Sequence, residues 1–489
     1  MTGQAATTPA AGAKPAADEQ KFSLLTLTAM VVGSMVGAGI FSLMATFGRA
    51  TGPFGALIAW AIAGAGMLML AFVFQTLAQR RPDLDNGIFS YAKVGFGNYL
   101  GFAAAFGFWA GTCLGNTTYF ILIFSTLGRF FPVFGEGNTV IAIVCSSAIL
   151  WAVHFMILRG VKEAAGINTV VTIAKIVPIL VFILVMLFVF DFQKFSGNFW
   201  GGGDYSGAEV FDQVRGTMLV TVFVFIGIEG ASVYSRYARR REDVGLATVF
   251  GFLGVLCLLV LVTLLPYGLL DRAELGAMRQ PSMAGVLEAA VGTWGAVFVS
   301  IGLLVSVLGA FLAWSLLAAE MLFAAAKDGA VPRVFAGQNR NQAPSVALWL
   351  TNGLVQLFLI VTLFAREAFD LTLALTSAKT LIPYVLVAAF AVKLAASGEA
   401  YAGLAAERRR DLAYAVLATL YTLFMLVAGG LKYVLLSAIL FAPGTILFIL
   451  ARREQGQPLF TPVEWALFAA VVAAAIFGVV GLATGTITI

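Results

Sequence analysis

Charged residues are scarce in this chain of 489 residues. Asp, Glu, Lys and Arg make up 11% of the sequence, whereas soluble domains carry about 25%. Hydrophobic residues make up 60% of it, and they are gathered in runs long enough to cross a bilayer. The composition therefore excludes a soluble globular protein and predicts an all-α integral membrane protein.

Residues suited to metal or redox chemistry are also few. The chain has one histidine, and its three cysteines lie in apolar stretches. Cys113, Cys145 and Cys257 show neither the spacing of a metal site nor that of a disulfide framework. The sequence therefore predicts no metal ion and no cofactor.

The apolar runs divide the chain into a tail and about thirteen predicted membrane spans. Residues 1–22, rich in Ala, Thr and Pro, are predicted to form a disordered cytoplasmic tail. The predicted spans are 24–48, 55–78, 97–127, 139–158, 165–190, 212–235, 245–268, 292–325, 346–364, 370–393, 412–428, 431–451 and 464–486.

The basic residues predict the orientation of the chain. Of the 30 Lys and Arg residues, 20 fall on the side of the amino terminus, eight fall on the other side, and two lie inside spans. Because Lys and Arg in short loops stay on the cytoplasmic face, the amino terminus is predicted inside and the carboxyl terminus outside. This distribution by membrane side gives no support to a nucleic-acid partner.

Four ionisable residues lie well inside predicted spans: Lys175, Glu229, Glu320 and Lys379. A charged side chain that faces lipid costs a few kcal/mol or more. We therefore expect these residues to line a cavity, to pair with one another, or to mark the path of a substrate or ion.

Glycines interrupt two of the predicted spans. Residues 33–39 (GSMVGAG) hold three glycines in the first span, and residues 223–230 (FVFIGIEG) place an acid between two glycines in the sixth. Glycines allow close helix packing, or they allow a helix to unwind and offer free N–H groups to a carboxylate. Paired interruptions favour the second interpretation and indicate an inverted-repeat transporter with a binding site near the middle of the membrane.

Four motifs then carry a family resemblance: GSMVGAGIF, FIGIEGAS, AWSLLAAEMLFAAAKDGAVP and the following NQAP. Together they resemble the amino acid, polyamine and organocation transporter superfamily, and within it the basic amino acid antiporters, above all the arginine/ornithine exchangers. The resemblance implies a leucine-transporter-like fold of five plus five inverted helices, with helices 1 and 6 broken. It implies a ten-helix transport core at 23–395 and peripheral helices 11–13 at 396–489. The thirteenth span departs from the usual pattern of the superfamily.

The resemblance also implies substrate contacts. Gly37, Ala38 and Gly39 match the turn that binds a carboxylate, and carbonyls near Phe223 and Ile226 match those that bind an α-ammonium. Phe223 also has the spacing of an aromatic gate. The matching side-chain positions are Asn116 on helix three, Trp314 on helix eight and Thr376 on helix ten. Thr112 and Tyr119 lie one turn to either side of Asn116 at helical spacing, and Tyr384 on helix ten matches a gate position. Asn116 is equally suited to an interhelical hydrogen bond.

The buried charges match coupling or gating positions. Lys175 resembles the helix-five lysine of sodium-independent members, whose ammonium reaches the unwound part of helix one. Glu229 is expected to couple substrate occupancy to the movement of helix six. Glu320 either pairs with Lys175, pairs elsewhere, or lies in the inner vestibule. Lys379 either repels wrong substrates, pairs with Glu229, or competes with the substrate.

The sequence thus predicts a secondary active transporter that exchanges cationic L-amino acids by alternating access without sodium. Arginine and ornithine, with lysine as a further candidate, are the predicted substrates, and the location is a bacterial inner membrane. The alternative is a proton-coupled amino acid uptake permease. The alternatives from other functional classes are a membrane enzyme, an amino-acid sensor and a channel. Lipid is the expected surrounding, and the sequence leaves open whether the chain forms a homo-oligomer.

Overall fold

The computed structural model describes residues 23–84, 88–160, 165–202, 206–229 and 241–488, and in these ranges the regular structure is helical. The predicted tail 1–22 lies outside the described residues. The α-helices, numbered here in chain order, are α1 (Leu24–Met35), α2 (Leu43–Ala50), α3 (Pro53–Arg80), α4 (Ile88–Phe96), α5 (Asn98–Gly128), α6 (Val140–Leu158), α7 (Ala165–Val189), α8 (Phe192–Asn198), α9 (Gly207–Phe225), α10 (Arg241–Leu264), α11 (Arg272–Ala277), α12 (Ser282–Val291), α13 (Thr293–Lys327), α14 (Ser345–Val361), α15 (Ala368–Ser397), α16 (Ala405–Ala428), α17 (Leu431–Glu454) and α18 (Pro462–Ala483).

Ten of the helices in the described residues are long and apolar enough to cross a membrane, and a bent pair brings the number to eleven. The pair joins Leu27–Met35 to Ala38–Ala50 at an angle of 47°. The protein is therefore an all-helical protein with about ten apolar spans. Helices α5 and α9, which coincide with the predicted third and sixth spans, are not among the ten.

Helix α5 is less apolar than a lipid-facing span because it lies inside the protein. Nearly every residue from Tyr99 to Gly128 is buried, and the helix packs against α4, α13, α14 and α15. A helix enclosed by other helices can carry glycine, threonine and asparagine where a lipid-facing helix carries leucine. Helix α5 is therefore the central element around which the site is built.

Several helix boundaries differ from the hydrophobic runs that predict them. Helix α16 begins at Ala405, before the predicted start at 412, because its first turns hold charged residues, among them Glu407, which pairs with Arg80. The predicted span 212–235 is helical only as far as Phe225, and its residues 230–235 lie outside the described residues. Hydrophobicity locates the part of a helix in lipid, whereas hydrogen bonds and caps decide where the helix ends.

Candidate functional site

Regular α-helix stops within the first glycine-rich segment, residues 33–39. Helix α1 ends at Met35, Gly37 has an extended backbone (φ −120°, ψ −158°), and a 3-10 turn at Ala38–Ser42 leads into α2. The first N–H groups of a helical segment have no partner within it, and its dipole favours an anion at that end. The segment that begins at Ala38 can therefore bind a carboxylate.

The second glycine-rich segment faces the first. Helix α9 ends at Phe225, and Gly227 has a φ of +109°, a conformation that favours glycine. The Ser34 hydroxyl donates to the carbonyl of Val31 at 2.8 Å and of Gly227 at 3.1 Å. A Cβ atom on Gly227 would lie 2.4 Å from the Ser34 carbonyl oxygen. The ends of α1 and α9 are thus in direct contact.

A cavity lies where these two segments meet α5, α7, α13 and α15. It encloses about 540 Å³ of space, including its opening. The lining residues are Ser34, Met35, Val36, Gly37, Ala38, Gly39, Gly111, Thr112, Gly115, Tyr119, Lys175, Phe223, Val224, Ile226, Ala310, Trp314, Thr376 and Thr380.

Most of the residues proposed from the sequence lie around this one cavity. They come from six separate stretches of the chain: Gly37, Ala38, Gly39, Thr112, Tyr119, Lys175, Phe223, Ile226, Trp314 and Thr376. The lining contains no carboxylate among the described residues. Neutral oxygen atoms and the Trp314 ring are what the wall offers to a cation.

The threonines of the wall present acceptor oxygens. Thr112 donates its hydroxyl hydrogen to the carbonyl of Phe108 at 2.9 Å, and Thr376 donates to that of Thr372 at 2.7 Å. Each hydroxyl oxygen keeps lone pairs that can accept a hydrogen bond. A ligand group rich in N–H donors, such as a guanidinium or ammonium, suits this part of the wall.

Lys175 lines the cavity beside the end of α1. Its Nζ donates to the carbonyl of Gly33 at 3.3 Å, in the last turn of α1. The carboxyl end of a helix carries a partial negative charge that a cation stabilises. The ammonium therefore braces α7 against the end of α1 at the edge of the cavity.

Glu229 and Tyr384 form a pair just outside the cavity wall. The Tyr384 hydroxyl donates to Oε2 of Glu229 at 2.7 Å, and the Gly227 N–H donates to the same oxygen at 3.2 Å. Tyr384 is fully buried. The pair links the segment after α9 to α15, three residues beyond the lining residue Ile226.

Five predicted site residues are not part of the cavity lining: Glu229 and Tyr384, described above, and Asn116, Glu320 and Lys379. Asn116 is fully buried and donates to Ser315 Oγ on α13 at 3.3 Å, an interhelical hydrogen bond. Glu320 lies exposed on α13 and is not part of the lining.

Lys379 points towards the helix behind α15 rather than into the cavity. Its Nζ donates to the Ser437 carbonyl at 3.3 Å and lies 4.8 Å from the centre of the Phe441 ring. Both partners belong to α17. Lys379 therefore contacts α17, and the three alternatives stated for it from the sequence stay predictions.

The cavity also contains residues that the sequence interpretation missed. Thr380 lines the wall one helical turn after Thr376 and donates its hydroxyl hydrogen to the Thr376 carbonyl at 2.9 Å. The four-residue spacing was the available signal. Ser34 lies inside the glycine-rich motif itself, where its contact with Gly227 could not be anticipated from either segment alone.

Comparison with known proteins identifies the family. A family model described as "Amino acid permease" matches residues 22–437. The chain belongs to the amino acid permease family. This permease is accordingly a multi-pass membrane transporter and not an enzyme, and the resemblance to the wider transporter superfamily is confirmed.

Curated relatives of the permease match it over nearly its whole length. It is 53% identical to the arginine/ornithine antiporter of Pseudomonas aeruginosa, over 96% of this chain and 99% of that protein. It is 40% identical to the L-lysine transport protein of Corynebacterium glutamicum, over 97% of each chain. It is 37% identical to the arginine/ornithine antiporter of Latilactobacillus sakei, over 97% and 99%.

A solved structure supports the fold of the permease. The crystal structure of MhsT in complex with L-phenylalanine superposes with a TM-score of 0.60, over 84% of this chain and 99% of that one. The sequence identity is 14%, so this likeness bears on the fold alone. As for metals, the described residues contain no group of three or more His, Cys, Asp or Glu side chains placed to hold an ion.

Proposed function

We propose that this permease exchanges cationic L-amino acids, arginine for ornithine above all and lysine as well, by alternating access without sodium. One observation carries the proposal: helix-start N–H groups at Ala38 and Gly39 share a cavity with Trp314 and with threonine oxygens. The two arginine/ornithine antiporters and the lysine transport protein among its relatives support this substrate class.

The cavity suits such a substrate from end to end. The substrate carboxylate lies against the N–H groups after Gly37, and the α-ammonium lies against the carbonyl oxygens at Phe223 and Ile226. The cationic tail extends over the Trp314 ring, which attracts a cation, towards the hydroxyl oxygens of Thr112 and Thr376. Lys175 lies at the end of the cavity next to α1, beside the substrate carboxylate and away from the cationic tail of the substrate.

The proposal also covers the organisation of the chain. Residues 23–395 form a ten-helix core of two inverted repeats, in which the interruptions after Met35 and Phe225 are broken helices 1 and 6, and residues 396–489 form peripheral helices 11–13. With α5 and α9 counted beside the apolar spans, the chain crosses a bacterial inner membrane thirteen times, with the amino terminus cytoplasmic and the carboxyl terminus outside. The bias of the basic residues supports this orientation.

Counterflow in vesicles tests the function. Purified protein is placed in vesicles preloaded with ornithine, and the entry of labelled arginine, lysine, leucine and agmatine is compared with entry into empty vesicles. We expect internal ornithine to accelerate arginine entry, leucine to compete weakly, and agmatine to compete weakly because it lacks the carboxylate. Equal competition by leucine and arginine would contradict the proposal.

Proton-coupled uptake is the second candidate, and the same vesicles separate it from exchange. An uptake permease accumulates arginine in empty vesicles when a proton gradient is imposed, whereas an antiporter requires the internal substrate. Trp314→Ala should weaken arginine binding in either case, so this variant tests the site independently of the coupling.

A further inference from the structure

The amino end of the central helix α5 lacks a cap of its own. Its N-cap residue is Gly97, with a φ of +98° and no side chain to accept a hydrogen bond from the first turn. The first N–H groups of any helix need outside acceptors when they are buried, and Tyr99 in this turn is buried. Some other part of the chain must supply the acceptor.

Glu464, in the first turn of α18, supplies it. Its Oε1 accepts from the Tyr99 N–H at 2.8 Å, and its Oε2 accepts from the Thr461 N–H at 2.8 Å. Thr461 Oγ1 in turn accepts from the Glu464 N–H at 3.3 Å, which completes a capping box on α18. The Glu464 side chain, which is only 7% exposed, thus caps the amino ends of both α5 and α18. Glu464 and Tyr99 lie 365 residues apart in sequence.

Aromatic rings also pack around Tyr99 at this end of α5. The Tyr99 ring lies 5.3 Å from Phe448 on α17 and 5.5 Å from Phe460, measured between ring centres. Its hydroxyl shares a hydrogen bond of 3.1 Å with Thr445 Oγ1. The pair α17 and α18 therefore holds the start of α5 from the side, and Glu464 fixes its position along the helix axis.

We propose that Glu464 is a positioning residue for transport, which sets the axial position of α5 and through it the position of Thr112 and Tyr119 in the cavity wall. Thr112 lies thirteen residues after Tyr99, about 20 Å along a rigid helix. Helix α18 thereby has a role, because it carries the residue that caps the central helix α5. The proposal rests on the proposed function only in taking the cavity as the transport site.

Exchange kinetics give the first test, with three substitutions at Glu464 and one matched control. Glu464→Ala removes the acceptor, and we expect the KM for arginine to rise about three- to tenfold, as for the loss of a helix cap. Glu464→Asp keeps the charge but shortens the reach and should act in the same direction. Glu464→Gln keeps an acceptor oxygen and should retain most of the native affinity for arginine. Thr461→Ala breaks only the capping box of α18 and should stay near the native KM.

The second test requires no transport and so separates this proposal from the proposed function. In a chain whose three cysteines are replaced by serine, Thr112→Cys on α5 and Phe223→Cys on α9 report the exposure of the cavity to a soluble thiol reagent. We expect Glu464→Ala to change the labelling rate of Thr112→Cys and to leave that of Phe223→Cys unchanged. Unchanged labelling at both positions, or an equal change at both, would overturn the positioning role, as would a Thr461→Ala variant with the kinetics of Glu464→Ala.

Discussion

At the scale of single residues, Lys175 brings a positive charge to the end of α1. Its ammonium donates to the Gly33 carbonyl at 3.3 Å at the end of α1, where the helix dipole is negative. Under the proposed function, this fixed cation takes the place of a bound sodium ion.

We therefore predict that exchange is unchanged when choline replaces sodium and that Lys175→Met lowers the exchange rate about tenfold or more. A hydrogen bond to a charged group contributes about 1.5–3 kcal/mol, and its loss frees α1 from α7. Lys194→Met is the control, because the Lys194 side chain is 36% exposed beside Asp271 and is not part of the cavity lining. A steep dependence of native exchange on sodium would contradict this prediction.

Glu229 and Tyr384 share one short hydrogen bond of 2.7 Å between α9 and α15. Glu229→Gln and Tyr384→Phe each alter that bond at nearly constant volume, so we predict that each lowers exchange while the melting temperature of the protein changes little. Because both substitutions act on the same contact, the double variant should be hardly worse than the more severe single variant.

The control for this pair is Tyr414→Phe on α16, where the ring stacks on Phe72. It should exchange at the native rate. Fully additive effects of Glu229→Gln and Tyr384→Phe, measured as exchange rates in vesicles, would show that the two residues act separately.

At the scale of elements, the contact between the ends of α1 and α9 depends on the absence of a side chain at Gly227. A Cβ atom there would lie 2.4 Å from the Ser34 carbonyl oxygen, and the φ of +109° is strained for any other residue. We predict that Gly227→Ala destabilises the protein by about 1–3 kcal/mol and abolishes exchange, because the two segments must separate.

Gly254→Ala is the matched control for that substitution. Gly254 lies in α10, and a Cβ atom added there meets nothing within 4 Å. Alanine also favours a helix over glycine by about 1 kcal/mol. Thermal unfolding in detergent should therefore show a stable Gly254→Ala protein, and equal destabilisation of the two variants would contradict the proposed contact.

At the scale of the whole molecule, the charge of the substrates decides how transport responds to voltage. Arginine and ornithine each carry one net positive charge, so a one-for-one exchange moves no net charge across the membrane. Moving one net charge through 100 mV is worth about 2.3 kcal/mol. We predict that a potassium diffusion potential leaves the exchange rate unchanged, and a rate that follows the imposed voltage would contradict one-for-one exchange.

The sequence by itself determined the helical membrane class and the positions of the apolar helices. These features are local: the thickness of the bilayer sets the length of an apolar run, and the need to satisfy every backbone group in lipid makes that run a helix. The motifs around Gly37, Glu229 and Trp314 predicted the family, and the family resemblance in turn predicted most of the residues of the cavity wall.

Only the tertiary structure decided whether a given side chain faces the cavity or a neighbouring helix. It turned Asn116 towards Ser315 and Lys379 towards α17, brought Thr380 into the wall, and placed Glu464 at the start of α5. In a soluble helix the apolar stripe marks the inner face, but here lipid and protein interior are both apolar, so the pattern along a helix carries little information about its orientation. Packing between residues hundreds of positions apart fixes that orientation, and no single stretch of the sequence contains it.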